Sequence, residues 1–214
     1  MIMKKIFIFG FIALCMSAMF SCSSCKNDKN VEPEDTTQVV SLVAENCIST
    51  DREDMFLNYG EDYRWYETSI TLDNYLDDEC ASSVFYNLTD VFQFVSDKGN
   101  SSDCRVVFYT YTSDSYEKNV VDGIYVGDFP LNDAEINLTF EEAYERVMEA
   151  NLPKPHSRKV VLRKEVGPKP CNPQYIFGNT KAQIYVDATT GDVTDKNPAF
   201  LEEDGFKMPL GEWP

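Results

Sequence analysis

The chain has 214 residues and is strongly acidic, with 36 Asp and Glu against 19 Lys and Arg and a formal net charge of −17. This balance excludes the basic surface that nucleic-acid binding requires, and it excludes electrostatic attraction to anionic lipid headgroups. The length suits one large domain or two small ones, and 12 Tyr and 14 Phe supply apolar bulk for a core.

The first residues have the features of a secretion signal. Lys4 and Lys5 precede an uncharged, mostly apolar run from Ile6 to Phe20. This run is shorter than the about 20 residues that a helix needs to cross a bilayer core. Its length and basic flank are typical of the apolar core of a signal peptide, and small or cysteine residues follow at once.

The segment Met19-Phe20-Ser21-Cys22 resembles the lipobox of bacterial lipoproteins, in which a lipid is attached to a cysteine just after the apolar core. Met19 stands where leucine is commoner, and Phe20 is bulkier than the usual residue. The resemblance implies lipid attachment at Cys22, with Cys25 as the alternative, on an outer-membrane protein that faces the periplasm or the cell surface. Ordinary signal cleavage without a lipid is the competing interpretation.

Composition divides the rest of the chain. The polar residues from Ser23 to Thr37 have too little apolar surface to fold and predict a flexible tether. The predicted segments are a signal peptide at 1–21, the tether at 22–37, an N-terminal α+β region at 38–130, a second domain at 131–198 and a tail at 199–214.

The N-terminal region begins as helix and continues as strands. We predict a helix over Gln38–Ile48 capped by Thr36 or Thr37, and further helical turns over Asp51–Tyr59. Alternating residues predict that Trp65, Glu67, Ser69 and Thr71 share one face of the next strand and that Thr68, Ile70 and Leu72 share the other. The predicted strands, with a turn at Lys98–Ser101 between the second and third, form an antiparallel meander over Tyr63–Leu76, Val84–Val95, Arg105–Thr112 and Asn119–Val126.

The sequence pattern changes from strands to a helix after residue 130. Thr139 and Glu142 form a capping box for a helix over Phe140–Asn151. Gly191 is expected to adopt a positive φ in the turn that closes the last strand pair. The strands predicted after the helix are Val160–Val166, Gln174–Phe177 and Ala182–Asp187. The predicted fold class is α+β, with a helix packed on an antiparallel sheet.

Residues 137–194 resemble a PepSY-type module. The similarity rests on Asn137-Leu138-Thr139-Phe140-Glu141-Glu142-Ala143 at the helix start and on Gln174-Tyr175-Ile176-Phe177 and Ile184-Tyr185-Val186-Asp187-Ala188-Thr189-Thr190-Gly191-Asp192-Val193 in the strands. A proline-rich insertion at 167–173 departs from the family's short turn. The resemblance implies an extracytoplasmic module of one helix on an antiparallel sheet, of the kind found in protease propeptides and in secreted proteins similar to protease or β-lactamase inhibitors.

Few residues have the spacing of a catalytic or metal site. His156, the one histidine, is expected on a surface loop. The acidic runs Asp51/Glu53/Asp54, Asp77/Asp78/Glu79 and Glu202/Glu203/Asp204 are expected to be solvated surface. Cys47, Cys80, Cys104 and Cys171 could form disulfides after export, in any of three pairings, or remain buried thiols. We predict no catalytic residue, metal or cofactor.

These features predict a non-catalytic envelope lipoprotein that binds a protein or peptide. Inhibition of the bound partner is one form that this function would take. Aromatic-rich strands offer a surface for strand addition or docking. The membrane contact is expected to come from the N-terminal lipid alone. Two alternatives remain: an envelope glycan hydrolase that uses paired carboxylates, and a structural subunit of an envelope assembly.

Overall fold

The computed structural model describes residues 43–94, 104–125 and 127–200. Several predictions lie outside these residues: the signal peptide, the tether, Cys22, Cys25, the turn at 98–101, the acidic run at 202–204 and most of the tail.

In the described ranges, each of two helices is followed by a series of strands. The bounds are α1 Ala44–Tyr59, β1 Tyr63–Leu72, β2 Phe85–Phe94, β3 Arg105–Thr112, β4 Tyr116–Asp122, β5 Asp128–Phe129, α2 Phe140–Glu149, β6 Lys159–Glu165, β7 Gln174–Asn179, β8 Ala182–Asp187 and β9 Val193–Thr194. Short 3-10 turns lie at Asp133–Glu135 and Pro198–Phe200.

The strands form one antiparallel sheet in the order β4-β3-β2-β1-β6-β7-β8-β9, and β5 pairs with the end of β6. The predicted α+β class and the meander of β1 to β4 are therefore confirmed. Strand β1 lies between β2 and β6, so the regions 38–130 and 131–198 contribute to the same sheet.

Both helices cover the same face of the sheet, and the hydrophobic core lies between them and that face. Strand residues at every second position point into this core, as the period of two requires. They include Ile70, Leu88, Phe92, Val107, Leu162, Phe177 and Ile184. Helix α2 contributes Phe140, Ala143, Tyr144 and Val147, as its helical spacing predicts, but Met148, predicted on the same face, is exposed.

The face assignment predicted for β1 is wrong at its start. A β-bulge between Trp65 and Glu67 leaves Tyr66 as the extra residue. The bulge moves Trp65 onto the buried face with Thr68, Ile70 and Leu72, whereas Glu67 stays on the opposite face with Ser69 and Thr71. Simple alternation had placed Trp65 with Glu67, because an inserted residue leaves no trace in a period-two pattern.

Several element bounds also differ from prediction. Helix α1 is continuous through Ile48 and Asp51 to Tyr59, instead of being interrupted. Strand β4 begins at Tyr116 and ends at Asp122, instead of covering 119–126. The tight turn after β3, in which the Thr112 N–H donates to the Ser115 carbonyl, starts β4 early.

The local signals around α2 are confirmed. The Thr139 hydroxyl accepts from the N–H of Glu142, and the Glu142 carboxylate accepts from the N–H of Thr139 at 2.8 Å. Gly191 has a φ of 80° in the turn after β8. A Cβ there would lie 2.7 Å from the Arg146 guanidinium carbon, which a flexible side chain can relieve, so the turn needs glycine mainly for its positive φ.

Candidate functional site

His156 lies on the surface, as predicted, but it has partners. Its Nδ1 lies 3.0 Å from an Asp77 carboxylate oxygen. Its ring stacks on Tyr75 with centroids 4.0 Å apart and an interplanar angle of 8°. The side chain is 69% exposed, so the contacts fix a surface loop to its neighbour.

The cysteines differ in their surroundings. Cys47, Cys80 and Cys171 are free thiols, so none of these three is bonded to another of them. Cys47 is buried on α1, Cys80 is exposed and Cys171 is half-buried.

The acidic runs separate into two groups. Asp77, Asp78 and Glu79 are exposed, as predicted. Asp51 was predicted to be solvated, and this is wrong, because its side chain has no exposed area. Continuous helix through this segment places Asp51 on the face that Ala44, Cys47 and Met55 turn towards the sheet.

Asp51 on α1 meets Asp90 on β2, which is also fully buried. The two carboxyl groups lie within hydrogen-bonding reach of each other, and such a bond needs a proton on one of them. Tyr111 donates its hydroxyl to Oδ1 of Asp51, and Thr68 donates its hydroxyl to Oδ1 of Asp90. The indole Nε1 of Trp65 donates to the Thr68 oxygen at 3.2 Å. A chain of hydrogen bonds therefore leads from Trp65 to this pair, which we call the acid pair.

Asp54, one turn further along α1, joins the helix to two strands. It accepts hydrogen bonds from the Tyr109 hydroxyl on β3 and from Nζ of Lys118 on β4, the latter at 2.5 Å. Lys118 also lies 5.2 Å from the centre of the Tyr109 ring, within cation–π range. Partial burial opposes ionisation of Asp54, but the donors from Lys118 and Tyr109 hold its pKa below the ordinary value.

Burial shifts the titration of the groups beneath α1. It raises the pKa of Asp51 to about 6, against the lowering effect of its hydrogen bonds. Burial and then the hydrogen bond with Asp51 raise the pKa of Asp90 well above the ordinary value. Burial, with the charges of both aspartates, raises the pKa of the Cys47 thiol to about 12. Because a thiol with this pKa stays protonated near neutral pH, Cys47 packs as a small apolar side chain.

The acid pair has the composition of a hydrolytic dyad, in which two carboxyl groups differ in proton affinity. Such a dyad needs contact with substrate, and neither Asp51 nor Asp90 has exposed area in this structure. A surface depression of about 280 Å³ lies between α1 and the loop before α2, with Trp65 and Tyr175 in its wall, but neither aspartate lines it. The position of the pair is that of a contact between helix and sheet.

Strand β4 forms one edge of the sheet, and among the described strands it pairs only with β3. Successive residues of an antiparallel strand direct their backbone groups alternately towards and away from the neighbour. Gly123 donates its N–H to the Cys104 carbonyl, and Thr112 donates to Ser115, which fixes this alternation. The outward-facing positions are therefore Tyr116, Lys118, Val120 and Asp122.

This edge is long, regular and partly apolar. All seven residues of β4 are exposed, and the pairing with β3 continues without a register shift. Val120 and Val121 are 43% and 45% exposed. Among the described strands, the opposite edge of the sheet is β9, which has two residues. Natural proteins commonly protect edge strands by shortness, prolines, bulges or charged side chains. Strand β9 is short, whereas β4 has neither proline nor bulge and is protected only by the charges of Glu117, Lys118 and Asp122.

The sequence predicts a strand over Asn119–Val126, which overlaps part of β4, but it does not reveal the residues beneath α1. Asp90, Thr68, Tyr109 and Tyr111 were assigned only to strands. The available signal was an aspartate between Leu88 and Phe92, since all three share one face of a strand by alternation.

Among the described residues, no three His, Cys, Asp or Glu side chains are placed to hold a metal ion. No helix in the described ranges has the length and apolar character needed to cross a membrane.

Comparison with known proteins returned no match among family models, curated proteins or solved structures. The PepSY resemblance of residues 137–194 therefore stays a prediction based on its motif residues.

Proposed function

We propose that this protein is a non-catalytic, lipid-anchored module of the bacterial cell envelope that binds an extended peptide segment of a partner protein along β4. The observation that carries the proposal is the free edge of β4, seven exposed residues with a continuous register. An edge of this kind presents backbone donors and acceptors to which another strand can add.

Side chains around the edge support the same mode of binding. Val120 points to the face of the sheet that carries α1, and Val121 points to the other face. Ile124, just after the strand, is half-exposed as well. A partner strand with apolar residues at alternate positions would cover these side chains while its backbone pairs with the outward positions of β4.

The charged residues of β4 leave the edge accessible. Lys118 is turned towards Asp54 on α1. Asp122 lies 3.5 Å from Arg105 on the neighbouring strand β3. Charges that would otherwise repel an added strand are thus partly neutralised within the protein, and the backbone between Tyr116 and Asp122 stays available.

The test uses a backbone change at one outward position. Val120→Pro removes an N–H that faces away from β3, so the β3–β4 hydrogen bonds are retained, and proline is tolerated on edge strands. Purified full-length protein would be screened against a phage-displayed library of random 12-residue peptides. Fluorescence anisotropy of the enriched peptides then compares the wild type with the variants. We expect Val120→Pro to weaken peptide binding at least about tenfold. The variant loses one backbone hydrogen bond to the peptide, and its proline ring obstructs the pairing of the added strand.

Val120→Ala is the matched control, since it shortens the same side chain and keeps the N–H. It should retain most of the affinity, and both variants should unfold at temperatures close to that of the wild type. Peptides that bind Val120→Pro as tightly as the wild type would show that β4 is not the binding edge. A library that yields no binder would also contradict the proposal.

A further inference from the structure

The contact between α1 and the sheet contains a carboxyl group where an apolar side chain is usual. The buried face of α1 consists of Ala44, Cys47, Asp51 and Met55. Asp51 meets the equally buried Asp90, and two negative charges this close in a low-dielectric core repel strongly. The structure must therefore contain something that neutralises at least one of them.

The hydrogen bonds of the acid pair leave two carboxyl oxygens without a donor. Oδ1 of Asp51 and Oδ1 of Asp90 each receive a hydroxyl donor. Oδ2 of each is buried and has no donor among the described side chains and backbone groups. A proton on one carboxyl supplies the absent donor to the other and removes one of the two charges.

The surrounding groups do not replace that proton. The titratable and charged groups that face the acid pair from the packed elements are Cys47 and Asp54 on α1, Tyr109 and Tyr111 on β3, and Tyr116 and Lys118 on β4. Strand β1 contributes the neutral Thr68 and Trp65. The one cation of this set, Lys118, donates to Asp54.

We propose that Asp51 and Asp90 hold one proton between them in the folded protein, and that loss of this proton at rising pH releases α1 from the sheet. The protonated acid pair then holds α1, the first described helix after the predicted tether, against the sheet, and the deprotonated pair does not. This inference rests on the contact between α1 and β2 and is independent of peptide binding at β4.

A second acid contact on α1 acts in the same direction. The carboxyl of Glu45, in the first turn of α1, lies beside that of Glu141 on α2, and its Oε1 accepts from the N–H of Phe140 at 2.7 Å. Burial, and then the Glu45 carboxyl, raise the pKa of Glu141. Loss of the Glu141 proton would therefore add repulsion between the two carboxyl groups at the start of α1, while the hydrogen bond from Phe140 to Glu45 remains.

The direction of the pH dependence follows from the raised pKa values. In the unfolded chain both aspartates titrate near pH 4. In the folded protein the pKa of Asp51 is about 6 and that of Asp90 is also raised. Folding therefore takes up protons above pH 4, and the stability from this source is complete at lower pH and is lost as the pH rises through about 6 and beyond.

The experiment compares urea unfolding and amide hydrogen exchange of the full-length protein between pH 5 and pH 8. For each proton held by the folded state, the folding equilibrium constant should fall about tenfold per pH unit within the titration range. Exchange, corrected for its intrinsic pH dependence, should show α1 losing protection before β1 and β2. Asp90→Asn should remove most of this slope, because its amide donates to Asp51 at every pH.

Asp114→Asn is the control, since it removes one negative charge from an exposed turn and should keep the wild-type slope. Equal slopes in Asp90→Asn and the wild type would overturn the proposal, as would wild-type stability that is unchanged between pH 5 and pH 8.

An infrared measurement on the wild type keeps the proposal testable if Asp90→Asn does not fold. A carboxylic-acid carbonyl band should persist at pH 6.5, where exposed aspartates and glutamates have ionised. It should disappear at higher pH together with the protection of α1. A spectrum without this band at pH 6.5 would show that the pair holds no proton.

Discussion

The hydroxyl of Thr68 serves two buried partners at once. It donates to Asp90 and accepts from Nε1 of Trp65. Thr68→Val keeps the shape of the side chain and leaves both groups without a partner in the core. We expect a loss of about 2 kcal/mol in the free energy of unfolding, within the range of 1–3 kcal/mol for an unsatisfied buried polar group. Urea unfolding near pH 6 measures it.

Two variants separate this effect from a general loss of a hydroxyl. Thr68→Ser keeps the hydroxyl and should lose less than Thr68→Val. Thr89→Val removes a hydroxyl that bonds Thr110 at 3.2 Å on the other, partly exposed face, and should cost less than about 1 kcal/mol. If Thr68→Val were as stable as Thr68→Ser, the chain from Trp65 to Asp90 would contribute nothing to stability.

Single residues were also the scale at which sequence reasoning failed most clearly. Asp51 lies in a run with Glu53 and Asp54, and charge runs are usually solvated. Its burial depends on helix phase, because Cys47, Asp51 and Met55 are four residues apart and share one face. The partner, Asp90, comes from a different element, and its contact with Asp51 is a tertiary feature that no local pattern contains.

At the scale of elements, α2 is a case in which local signals determine the structure. The capping box satisfies backbone N–H groups that the first helical turn leaves without partners. Thr139→Ala should therefore lower the free energy of unfolding by about 1 kcal/mol. Thermal or urea unfolding checks this value, and Thr139→Ser, which can form the same bond, should stay close to the wild type. Equal losses in both variants would point to packing of the Thr139 methyl group instead.

The strands show which features a local sequence pattern predicts and which it does not. The bounds of β3 and the antiparallel pairing of the meander were predicted correctly from composition and alternation. The bulge at Tyr66 was not, because the extra residue is accommodated by pairing with β2 rather than by any residue preference. One shifted residue changes which face Trp65 occupies, and this shift is what allows its indole to reach Thr68.

At the scale of the whole molecule, the regions 38–130 and 131–198, which the sequence pattern separates, contribute strands to one sheet. Glu67 to Thr71 of β1 pair with Lys159 to Arg163 of β6. The break in pattern near residue 130 was read as a boundary between regions, yet strands on both sides of it are neighbours. The composition of a segment indicates its local structure. The pairing of β1 with β6 depends instead on contacts between residues that are far apart in the sequence.

The predicted attachment of the molecule to the membrane depends on one thioether-forming residue. The net charge of −17 gives no attraction to anionic headgroups, so binding must come from acyl chains, each buried methylene contributing about 0.8 kcal/mol. Cys22→Ser should therefore move the protein from the membrane fraction to the soluble fraction and abolish labelling by an alkyne analogue of palmitate.

Cys25→Ser is the matched control for that change, because it removes the other candidate cysteine and should leave labelling and fractionation unchanged. The reverse result, loss of label only in Cys25→Ser, would move the lipid to Cys25 and keep the mode of anchoring. Since neither serine can accept a lipid at these positions, a protein with both changes has no predicted anchor. Retention of that double variant in the membrane fraction, resistant to high salt, would show that the attachment does not depend on a lipid at Cys22 or Cys25.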